Sequence, residues 1–438
     1  MELKKIMQDA GMVGAGGAGF PSYAKLSVEA NTLLVNGAEC EPLLYTDYVI
    51  LRDELSLVIA GITAVKEELE IKNAFLCIKE HTAKRLELYD GDSLASGLKV
   101  KVLPNVYPIG DEISLSYEAT GRLIQPGKLP ITEGIIVYNV ETMYNLGKMI
   151  TTGEPVTKKW LTIGGNVPSP AVIKVPLGTK FSDIFAKLGI SVPDRHTVID
   201  GGPSMGKVVN WRTASVTKTT KGILILPSGI RAVEAKAINE KAAVARAETA
   251  CCQCTRCTDL CPRHLLGFPL EPHKMVRTAM GAAEVSPVLV KTATLCCGCG
   301  ICESLACSQG ISPKAVINNY KALLSKNKLR FLADRTYSPA PERSYRMIPS
   351  SKWAQDLGVA KFDTVADYLG EIYDFDKFEI PLGKHIGAPS VPTVTTGQTV
   401  NKNQLIASAA DGLSIPQHSP ADGVVTVLSD RIIIERVK

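Results

Sequence analysis

Residues 251–262 read CCQCTRCTDLCP, and residues 296–307 read CCGCGICESLAC. The first run spaces its cysteines as C-x2-C-x2-C-x3-C-P and the second as C-x2-C-x2-C-x4-C. A ligand at every third residue turns successive side chains inward, and ferredoxin-type domains hold cubane iron-sulfur clusters with this spacing. In two-cluster ferredoxins the fourth cysteine of a run binds the other cluster. We therefore predict two 4Fe-4S clusters with these ligands: Cys261, Cys296, Cys299 and Cys302 for one, and Cys251, Cys254, Cys257 and Cys307 for the other.

Zinc and disulfide bonds are the competing interpretations of so many cysteines. Structural zinc sites use two close pairs separated by a longer stretch, whereas each run here places four cysteines within eleven or twelve residues. Disulfides between close neighbours are disfavoured because residues 1–10 lack the apolar core of a signal peptide. Four further cysteines lie off the ligand spacing and are predicted to be packed small residues: Cys40, Cys77, Cys252 and Cys297.

The composition is that of a globular protein with several domains. The 438 residues are 45% hydrophobic and 21% charged, and a chain of this length accommodates about three or four domains. The net charge of +5 is spread along the chain, which argues against a nucleic-acid-binding function. No apolar run reaches the roughly 18 residues that a membrane helix needs. We expect an intracellular protein without a membrane span, since a reducing compartment suits thiolate ligands.

A second informative stretch is GAGGAGFP at residues 14–21, which contains the pattern G-x-G-x-x-G. A dinucleotide fingerprint follows a strand and opens a helix, whereas the apolar spacing from Leu3 to Ala10 predicts a helix before this loop. Glycine amides without side chains in the way can approach a phosphate or a flat ring closely, and Lys25 is available to neutralise negative charge. A flexible glycine turn without a ligand is the alternative.

Polar clusters follow predicted strands at the positions where open α/β sheets bind ligands. Residues 32–35 read as a buried strand that leads into NGAECEP at residues 36–42. A strand over residues 134–137 leads into YNVET at residues 138–142, and YPIGDE occupies residues 107–112 between the two. Taken singly, each acidic residue is as well explained as a solvated loop carboxylate.

Together these segments resemble the flavin subunit of respiratory complex I and, more closely, the C subunit of Rnf electron-transport complexes. The resemblance implies an FMN site with NADH above the flavin. It implies these roles: Gly14, Gly16, Gly17 and Lys25 at the FMN phosphate, Phe20 on the nicotinamide side, Asn36, Glu39 and Glu41 along flavin and nucleotide, Gly110, Asp111 and Glu112 beneath the dinucleotide, and Asn139 and Thr142 at the phosphate. Two positions depart from complex I, where arginine and asparagine replace Ala15 and Tyr138, so nucleotide affinity and flavin hydrogen bonding are open.

The same resemblance divides a multidomain α/β chain into five parts. They are a Rossmann-like FMN domain (1–155), an SLBB β-grasp domain (156–228), a helical two-cluster ferredoxin domain (229–330), a linker (331–378) and a C-terminal all-β barrel-sandwich hybrid (379–438). Helices are predicted near residues 181–188 and over residues 232–247 and 312–325. In the β-grasp domain, the loop at residues 200–206 either faces the flavin or only turns the chain.

The carboxyl-terminal residues resemble biotinyl and lipoyl carriers, but SIPQH at residues 414–418 has no lysine where such carriers are modified. We therefore predict an unmodified packing or docking module. His418 is either a structural turn residue, the commoner case, or a contact for a metal or corrinoid. The position of this domain after the clusters, the x4 gap before Cys307 and the chain length resemble the PduS-type cobalamin reductases of propanediol-utilization microcompartments.

This resemblance implies an NADH-dependent flavin and iron-sulfur reductase. It would deliver electrons to cobalamin, from cob(III)alamin to cob(II)alamin and cob(I)alamin, and so reactivate a B12-dependent enzyme. Nicotinamide gives two electrons at once while clusters and cobalt take one, and a flavin links the two modes. No residue is predicted to act as a nucleophile or general base. Expected partners are NADH, a corrinoid or corrinoid enzyme or adenosyltransferase, and a microcompartment shell protein.

Two other functions stay open at this point. One is an Rnf-like or microcompartment electron-transfer protein that uses NADH with ferredoxin or another redox protein as its partner. The other is a non-catalytic iron-sulfur adaptor without flavin, for which Ala15 and Tyr138 leave room. Flavin content separates the adaptor from both enzymes. The expected location is the cytoplasm, within a bacterial microcompartment.

Overall fold

A five-stranded sheet organises the amino-terminal part of this computed structural model, which describes residues 2–27, 29–281 and 286–437. The helices and strands of this first module are α1 (Leu3–Asp9), β1 (Thr32–Asn36), α2 (Thr46–Asp53), α3 (Leu55–Glu68), β2 (Asn73–Lys79), α4 (Glu80–Leu86), β3 (Ser93–Leu94), β4 (Leu98–Leu103), β5 (Val106–Tyr107), α5 (Glu112–Thr120), β6 (Ile135–Asn139) and α6 (Val140–Thr152). Short 3₁₀ turns lie at Ser22–Ser27, Ala95–Gly97 and Pro130–Glu133.

The order of the strands creates a switch point beside β1. The sheet runs β3-β4-β2-β1-β6, with β4, β2, β1 and β6 parallel and β3 antiparallel. The chain leaves β1 toward β2 on one side and returns to β6 on the other, and Asn36 pairs with Asn139 at the two carboxyl ends. Ligands of open α/β sheets bind in the crevice at such a point.

Two glycines fix α6 against α3. A Cβ on Gly61 would lie 2.1 Å from the carbonyl oxygen of Met143, and one on Gly147 would lie 1.9 Å from that of Leu57. Only glycine allows this approach of two helix backbones. The contact therefore holds α6, which begins directly after β6, close against α3.

The second module is a mixed sheet, and the helix predicted near residues 181–188 is confirmed. Its elements are β7 (Lys158–Gly165), β8 (Ala171–Pro176), α7 (Phe181–Lys187), β9 (His196–Asp200), β10 (Lys207–Val209) and β11 (Gly222–Pro227). The strands lie in the order β10-β9-β11-β7-β8, and a sixth strand from later in the chain pairs with β8.

The cysteine runs lie in a helical module. Its helices are α8 (Arg231–Ala237), α9 (Glu240–Ala250), α10 (Arg256–Asp259), α11 (Pro262–Leu265), α12 (Pro272–Ala279), α13 (Pro287–Lys291) and α14 (Pro313–Lys326), with a 3₁₀ turn at Thr292–Leu295. The prediction of a single helix over residues 232–247 is wrong. Ile238 is extended, and the side chain of Asn239 accepts a hydrogen bond from the Ala242 amide, so Asn239 caps a new helix.

Residues 331–378, predicted to be a linker, pack against the first two modules. They contain α15 (Arg343–Arg346), β12 (Ile348–Pro349), α16 (Ser350–Asp356) and β13 (Asp367–Glu371), with a 3₁₀ turn at Ala360–Phe362. Strand β12 pairs with β5, and β13 is the sixth strand of the mixed sheet, beside β8. Trp353 on α16 is fully buried.

The carboxyl-terminal part of the chain forms two small sheets. The strands are β14 (Lys377–Pro381), β15 (Val391–Pro392), β16 (Thr399–Val400), β17 (Leu405–Ser408), β18 (Gln417–His418), β19 (Gly423–Val427) and β20 (Arg431–Arg436). They form the orders β14-β20-β19-β16 and β15-β17-β18. Among the described residues, no helix has the length and apolar character to cross a membrane.

Candidate functional site

The eight cysteines at ligand spacing gather in two separate groups. Four of them line one cavity, and we call them the outer thiols: Cys251, Cys254, Cys257 and Cys307. The other four line a second cavity, and we call them the inner thiols: Cys261, Cys296, Cys299 and Cys302. In each group the fourth cysteine of one run joins three cysteines of the other run. The structure thus brings together the two sets that the crossing rule of two-cluster ferredoxins predicts.

Unusual backbone geometry wraps the chain around each group. Gln253 and Thr255 lie in the left-handed region with φ of 54° and 61°, and Gly298 and Gly300 have φ of 76° and 85°. Residues Cys302–Ala306 form a π-helical turn, which holds more residues per turn than an α-helix. This turn accommodates the x4 gap before Cys307.

The chemistry of these groups fits bound metal. Burial and, after it, neighbouring thiols raise the pKa of Cys257 to about 12, and burial is also the main cause that raises the pKa of Cys261 to about 12. Because metal ligands must be thiolates, cluster binding at these sites would release the thiol protons. In the described part of the chain, no three His, Cys, Asp or Glu side chains are grouped as around a single metal ion. A cubane spreads its four ligands around a larger core, which is compatible with the observed groups.

The glycine loop presents free amides at its tip. The Gly14 amide donates to the Phe20 carbonyl at 2.8 Å, the Gly19 amide to the Gly14 carbonyl at 3.3 Å, and the Ala15 amide to Thr142 Oγ1 at 3.2 Å. Residues 16–18 are exposed, and within residues 2–27, 29–281 and 286–437 nothing accepts a hydrogen bond from their amides. Successive exposed amides form an anion-binding concavity, so this loop fits a phosphate group.

The ends of β1 and β6 meet this loop. Asn139 Nδ2 donates to the Asn36 carbonyl at 3.2 Å and to Asp47 Oδ2 at 3.0 Å, while its Oδ1 accepts from the Glu141 amide and caps α6. Asn36 Nδ2 donates to the Gly110 carbonyl at 2.9 Å. A Cβ on Gly16 would lie 3.8 Å from Asn139 Cβ. Predicted residues from four separate segments therefore converge at the switch point.

Lys25 reaches the same edge but is already paired. Its Nζ donates to the Val137 carbonyl at 2.7 Å and lies 3.2 Å from Glu112 Oε1. The ring of Tyr138 lies beneath Lys25, 5.7 Å from Nζ to the ring centre, and the Tyr138 hydroxyl donates to the Ser22 carbonyl at 3.0 Å. Tyr138 is thus buried behind the glycine loop, and Phe20 lies half-buried at the end of that loop.

Glu39 belongs to a charge network that the sequence interpretation missed. It accepts from Thr46 Oγ1 at 2.7 Å, and burial followed by the charge of Asp47 raises the pKa of Glu39 to about 7. Four buried side chains complete the network: Asp47, Glu141, Lys159 and Lys221. Lys221 pairs with Asp47 and lies 3.8 Å from Glu141. Glu141 also pairs with Lys159. Only Glu141 lies in a segment that the sequence had marked, and the two lysines come from the second module.

Glu41 and Asp111 are engaged by other modules rather than free to line a nucleotide. Glu41 accepts from the amides of Ser204 and Met205 at 2.8 Å and 2.9 Å, so the loop at residues 200–206 contacts the segment that follows β1. Asp111 Oδ1 lies 2.7 Å from Arg263 Nη2, one residue beyond Pro262, and Asp111 Oδ2 accepts from the Ser114 amide and caps α5.

The cysteines outside the ligand spacing and His418 have distinct surroundings. Cys77 is buried, and Cys40 Sγ accepts from the Gly110 amide at 2.7 Å. Cys252 and Cys297 lie on the walls of the outer and inner cavities. His418 is buried, and burial followed by the charge of Lys218 lowers the pKa of His418 to about 3, which agrees with a neutral structural residue.

Three family models match successive parts of the chain. The Nuo51 FMN-binding domain matches residues 7–148, the 4Fe-4S dicluster domain matches residues 250–312, and the RnfC barrel sandwich hybrid domain matches residues 360–438. The first two contain the glycine loop with its sheet edge and the two thiol groups. The chain is therefore a multidomain flavin and iron-sulfur oxidoreductase, and the predicted FMN and paired 4Fe-4S clusters are confirmed as its cofactors.

Similarity to curated proteins extends over nearly the whole chain. It is 34% identical to the cobalamin reductase PduS of Salmonella typhimurium, over 99% of this chain and 96% of the relative. It is 35% identical to the cobalamin reductase PduS of Citrobacter freundii, over 98% and 95%. The chain belongs to the PduS cobalamin reductase family, as its motif order predicted.

More distant relatives share part of the chain. The Na+-translocating ferredoxin:NAD+ oxidoreductase complex of Acetobacterium woodii has a C subunit that is 31% identical over 60% of this chain and 58% of the relative. A solved chain of an NAD+-reducing NiFe-hydrogenase is 18% identical and has a TM-score of 0.45, over 76% of this chain and 63% of that chain.

Proposed function

We propose that this chain is an NADH-dependent reductase that passes single electrons through two 4Fe-4S clusters to cobalamin and so reactivates a B12-dependent enzyme. NADH would yield two electrons and become NAD+ with release of a proton. Each electron would convert one cob(III)alamin to cob(II)alamin, and a further electron would give cob(I)alamin. The observation that carries this proposal is the nearly full-length similarity to two cobalamin reductases.

The chain's own residues would bind and orient the cofactors. The exposed amides of residues 16–18 would hold the FMN phosphate, and Asn36, Asn139 and Gly110 would line the flavin at the switch point. Thr142 would act indirectly, by holding the Ala15 amide and with it the loop. When bound, FMN supplies the link between a two-electron donor and one-electron acceptors. The inner and outer thiols would hold the two clusters.

Glu41, Asp111 and Lys25 would take supporting roles at this site. Glu41 and Asp111 already accept hydrogen bonds from other modules, so we assign them to placing those modules against the flavin edge. Lys25 pairs with Glu112, and a bound phosphate would compete for the same ammonium group. Glu39 and Phe20 would complete the nucleotide side.

We infer the following domain assignment from the motif order and the strand topology: a Rossmann-like FMN domain at 1–155, an SLBB β-grasp domain at 156–228, a ferredoxin domain at 229–330 and a barrel-sandwich hybrid at 379–438. The parallel order β4-β2-β1-β6 supports the first label, and the mixed sheet around α7 supports the second. Residues 331–378 would then be a packed connector between domains.

An anaerobic reduction assay tests the function. NADH added to the reconstituted protein should bleach the flavin and then the clusters, and hydroxocobalamin added next should change to the cob(II)alamin spectrum. Bleached clusters with unaltered cobalamin would instead support the ferredoxin or redox-protein partner, which the similarity to part of a ferredoxin:NAD+ oxidoreductase complex favours. Clusters without any FMN would support the non-catalytic adaptor.

A pair of variants links this assay to the glycine loop. Gly16→Asp places a carboxylate among the exposed amides and should abolish FMN retention by charge repulsion, while iron content stays near eight atoms per chain, about four for each cluster. Gly16→Ala is the matched control, because a Cβ there meets its nearest atom only at 3.8 Å. Equal FMN content in the two variants would place the phosphate elsewhere.

We also propose that the protein works beside its corrinoid enzyme within a microcompartment, with a shell protein as partner. This rests on the membership of the PduS family. Co-purification of the tagged chain with isolated shells would support it, and recovery of all the chain in the shell-free fraction would contradict it.

A further inference from the structure

The inner and outer thiols lie in different surroundings. Of the inner thiols, Cys261, Cys299 and Cys302 are buried, whereas Cys254 of the outer thiols is exposed. Cys261 packs in a hydrophobic cluster with residues of the parallel sheet, including Leu34. The inner thiols therefore lie between the flavin domain and the rest of the helical module.

Two polar contacts from the flavin domain reach the inner thiols. The Tyr107 hydroxyl donates to the Cys299 carbonyl at 2.7 Å, and the Tyr107 ring stacks on Trp353 with 4.7 Å between ring centres. The second contact is the ion pair of Asp111 with Arg263, at 2.7 Å. Both partners of this pair are largely buried, with 14% and 11% of their side chains exposed.

Arg263 also forms part of the wall of the inner cavity. It lines that cavity together with Cys297 and the four inner thiols. Its Nε is buried and has no hydrogen-bond acceptor among the described residues. A buried guanidinium N–H without an acceptor is rare, and a cluster sulfur is an acceptor of the right kind for it.

We propose that Arg263, oriented by Asp111, is a positioning residue that sets the reduction potential of the inner cluster. The inference rests on the ligand sets proposed above. A 4Fe-4S core with four thiolates carries a net charge of about −2 when oxidised and about −3 after it accepts one electron. A nearby positive charge stabilises the reduced form more than the oxidised form, while Asp111 opposes this effect and holds the guanidinium in place.

Redox titration followed by EPR distinguishes tuning from simple domain docking. Arg263→Gln should lower the midpoint potential of one cluster, so that the ratio of reduced to oxidised cluster at the wild-type midpoint falls about tenfold, or ~59 mV for one electron. Asp111→Asn, which keeps the helix cap, should raise the same potential. Arg263→Lys keeps the charge and should lie between wild type and Arg263→Gln. Opposite shifts from the two partners are the signature of an electrostatic effect.

Two further variants complete the test. Lys274→Gln removes an exposed charge of the same module, whose partner is Glu271, and should shift neither potential. Cys254→Ser perturbs the outer cluster, so the signal that it leaves intact identifies the inner one. Shifts of the same sign, equal shifts of both clusters, or no shift in Asp111→Asn would overturn the proposal. If Arg263→Gln fails to assemble the inner cluster, Asp111→Asn alone tests the proposal: a raised midpoint potential supports it, and a lowered one contradicts it. Wild-type protein with only about four irons would instead reject the ligand sets themselves.

Discussion

Lys221 brings a positive charge from the second module to the edge of the parallel sheet. It pairs with Asp47, whose other oxygen accepts from Asn139 at 3.0 Å, and Asn139 caps α6 at the switch point. Because Lys221, Asp47, Glu141 and Lys159 are buried, each of their charges depends on its partners for compensation. The polar network thus holds in place Asn139, which we propose lines the flavin.

Removal of this lysine should therefore be costly. Lys221→Met removes the ionic partner of the buried Asp47, while Glu141 keeps its pair with Lys159, and we expect the protein to lose roughly 3–5 kcal/mol of stability. Urea unfolding followed by far-UV circular dichroism measures this loss. Lys187→Met, at an exposed pair with Asp374, is the control and should cost at most about 1 kcal/mol. Equal losses in the two variants would contradict the argument.

The carboxyl group of Glu39 should make stability depend on pH. Its pKa is raised by burial to about 7 in the folded protein, above the ordinary value of 4.5 that the unfolded chain retains. Between these values the folded state binds more protons, so the stability of the first module falls as pH rises from about 4.5 to about 7 and then levels off.

Glu39→Gln should remove this pH dependence, with a gain on the order of 1–3 kcal/mol at pH 8 relative to wild type. Unfolding free energies measured at several pH values between 5 and 8 test it. Glu67→Gln, at an exposed glutamate of α3, is the control and should leave the slope unchanged. If the unfolding free energy of Glu39→Gln still falls as pH rises, a group other than Glu39 takes up the proton.

At the level of residues, the sequence predicted what local spacing determines. The crossing of Cys261 and Cys307 between runs followed from ligand spacing and agrees with the observed thiol groups. The partners of Glu41 and Asp111 were not predictable, because Ser204 and Arg263 are more than 150 residues away in the chain. The motif located these carboxylates at the right edge but did not show which module engages them.

At the scale of secondary-structure elements, the contact of α3 with α6 leaves no room for a side chain at Gly61 or Gly147. In this module the sequence predicted the helix before the glycine loop and the strands over residues 32–35 and 134–137, which correspond to α1, β1 and β6, but not α3 or α6. The break at Ile238 was not predicted, since good helix formers surround Asn239 and only its side-chain hydrogen bond reveals a cap. Strand β13 was missed for another reason: its pairing with β8 joins segments almost 200 residues apart.

Gly147→Ala tests the helix contact. The added Cβ would lie 1.9 Å from the Leu57 carbonyl oxygen, so α6 must shift away from α3. We expect a loss of about 1–3 kcal/mol or more, as for other overpacked sites, and weaker FMN retention because Asn139 and Thr142 move with α6. Thermal unfolding and flavin content measure the two effects. Gly229→Ala meets nothing within 4 Å and is the control. Wild-type flavin content in Gly147→Ala would show that the contact between α3 and α6 does not affect FMN binding.

On the scale of the whole molecule, the loop at residues 200–206 joins the second module, to which it belongs, to three other parts of the chain. Glu41 accepts from its amides, Trp353 Nε1 donates to Ser204 Oγ at 2.9 Å, and Lys236 donates to the carbonyls of Ser204 and Gly206 at 3.1 Å and 2.7 Å. The sequence left open whether this loop faces the flavin or only turns the chain. Its hydrogen bonds show that it connects the segment that follows β1 with the helical module and α16.

The C-terminal sandwich docks on the other side of the glycine loop. The Ile386 amide donates to the Gly19 carbonyl at 2.9 Å, and the Tyr23 hydroxyl donates to the Ser414 carbonyl at 3.1 Å. Lys218 is buried between the Gly11 and Pro416 carbonyls, at 2.8 Å and 3.2 Å from Nζ. Motif order predicted that a sandwich module exists and is unmodified, but not that it supports the loop that would hold the FMN phosphate.

Tyr23→Phe isolates this support, because it removes one hydroxyl and leaves the packing of the ring. The Ser414 carbonyl then loses a buried hydrogen bond, which typically costs about 1 kcal/mol, so the loop should be less well ordered and FMN should dissociate several-fold more readily. Fluorescence titration of the FMN-depleted protein measures the dissociation constant, and iron content should stay at its wild-type value. Tyr345→Phe, at a tyrosine that is 89% exposed, is the matched control. If the two variants bind FMN equally well, the sandwich merely packs beside the loop, and its removal should leave the flavin site intact.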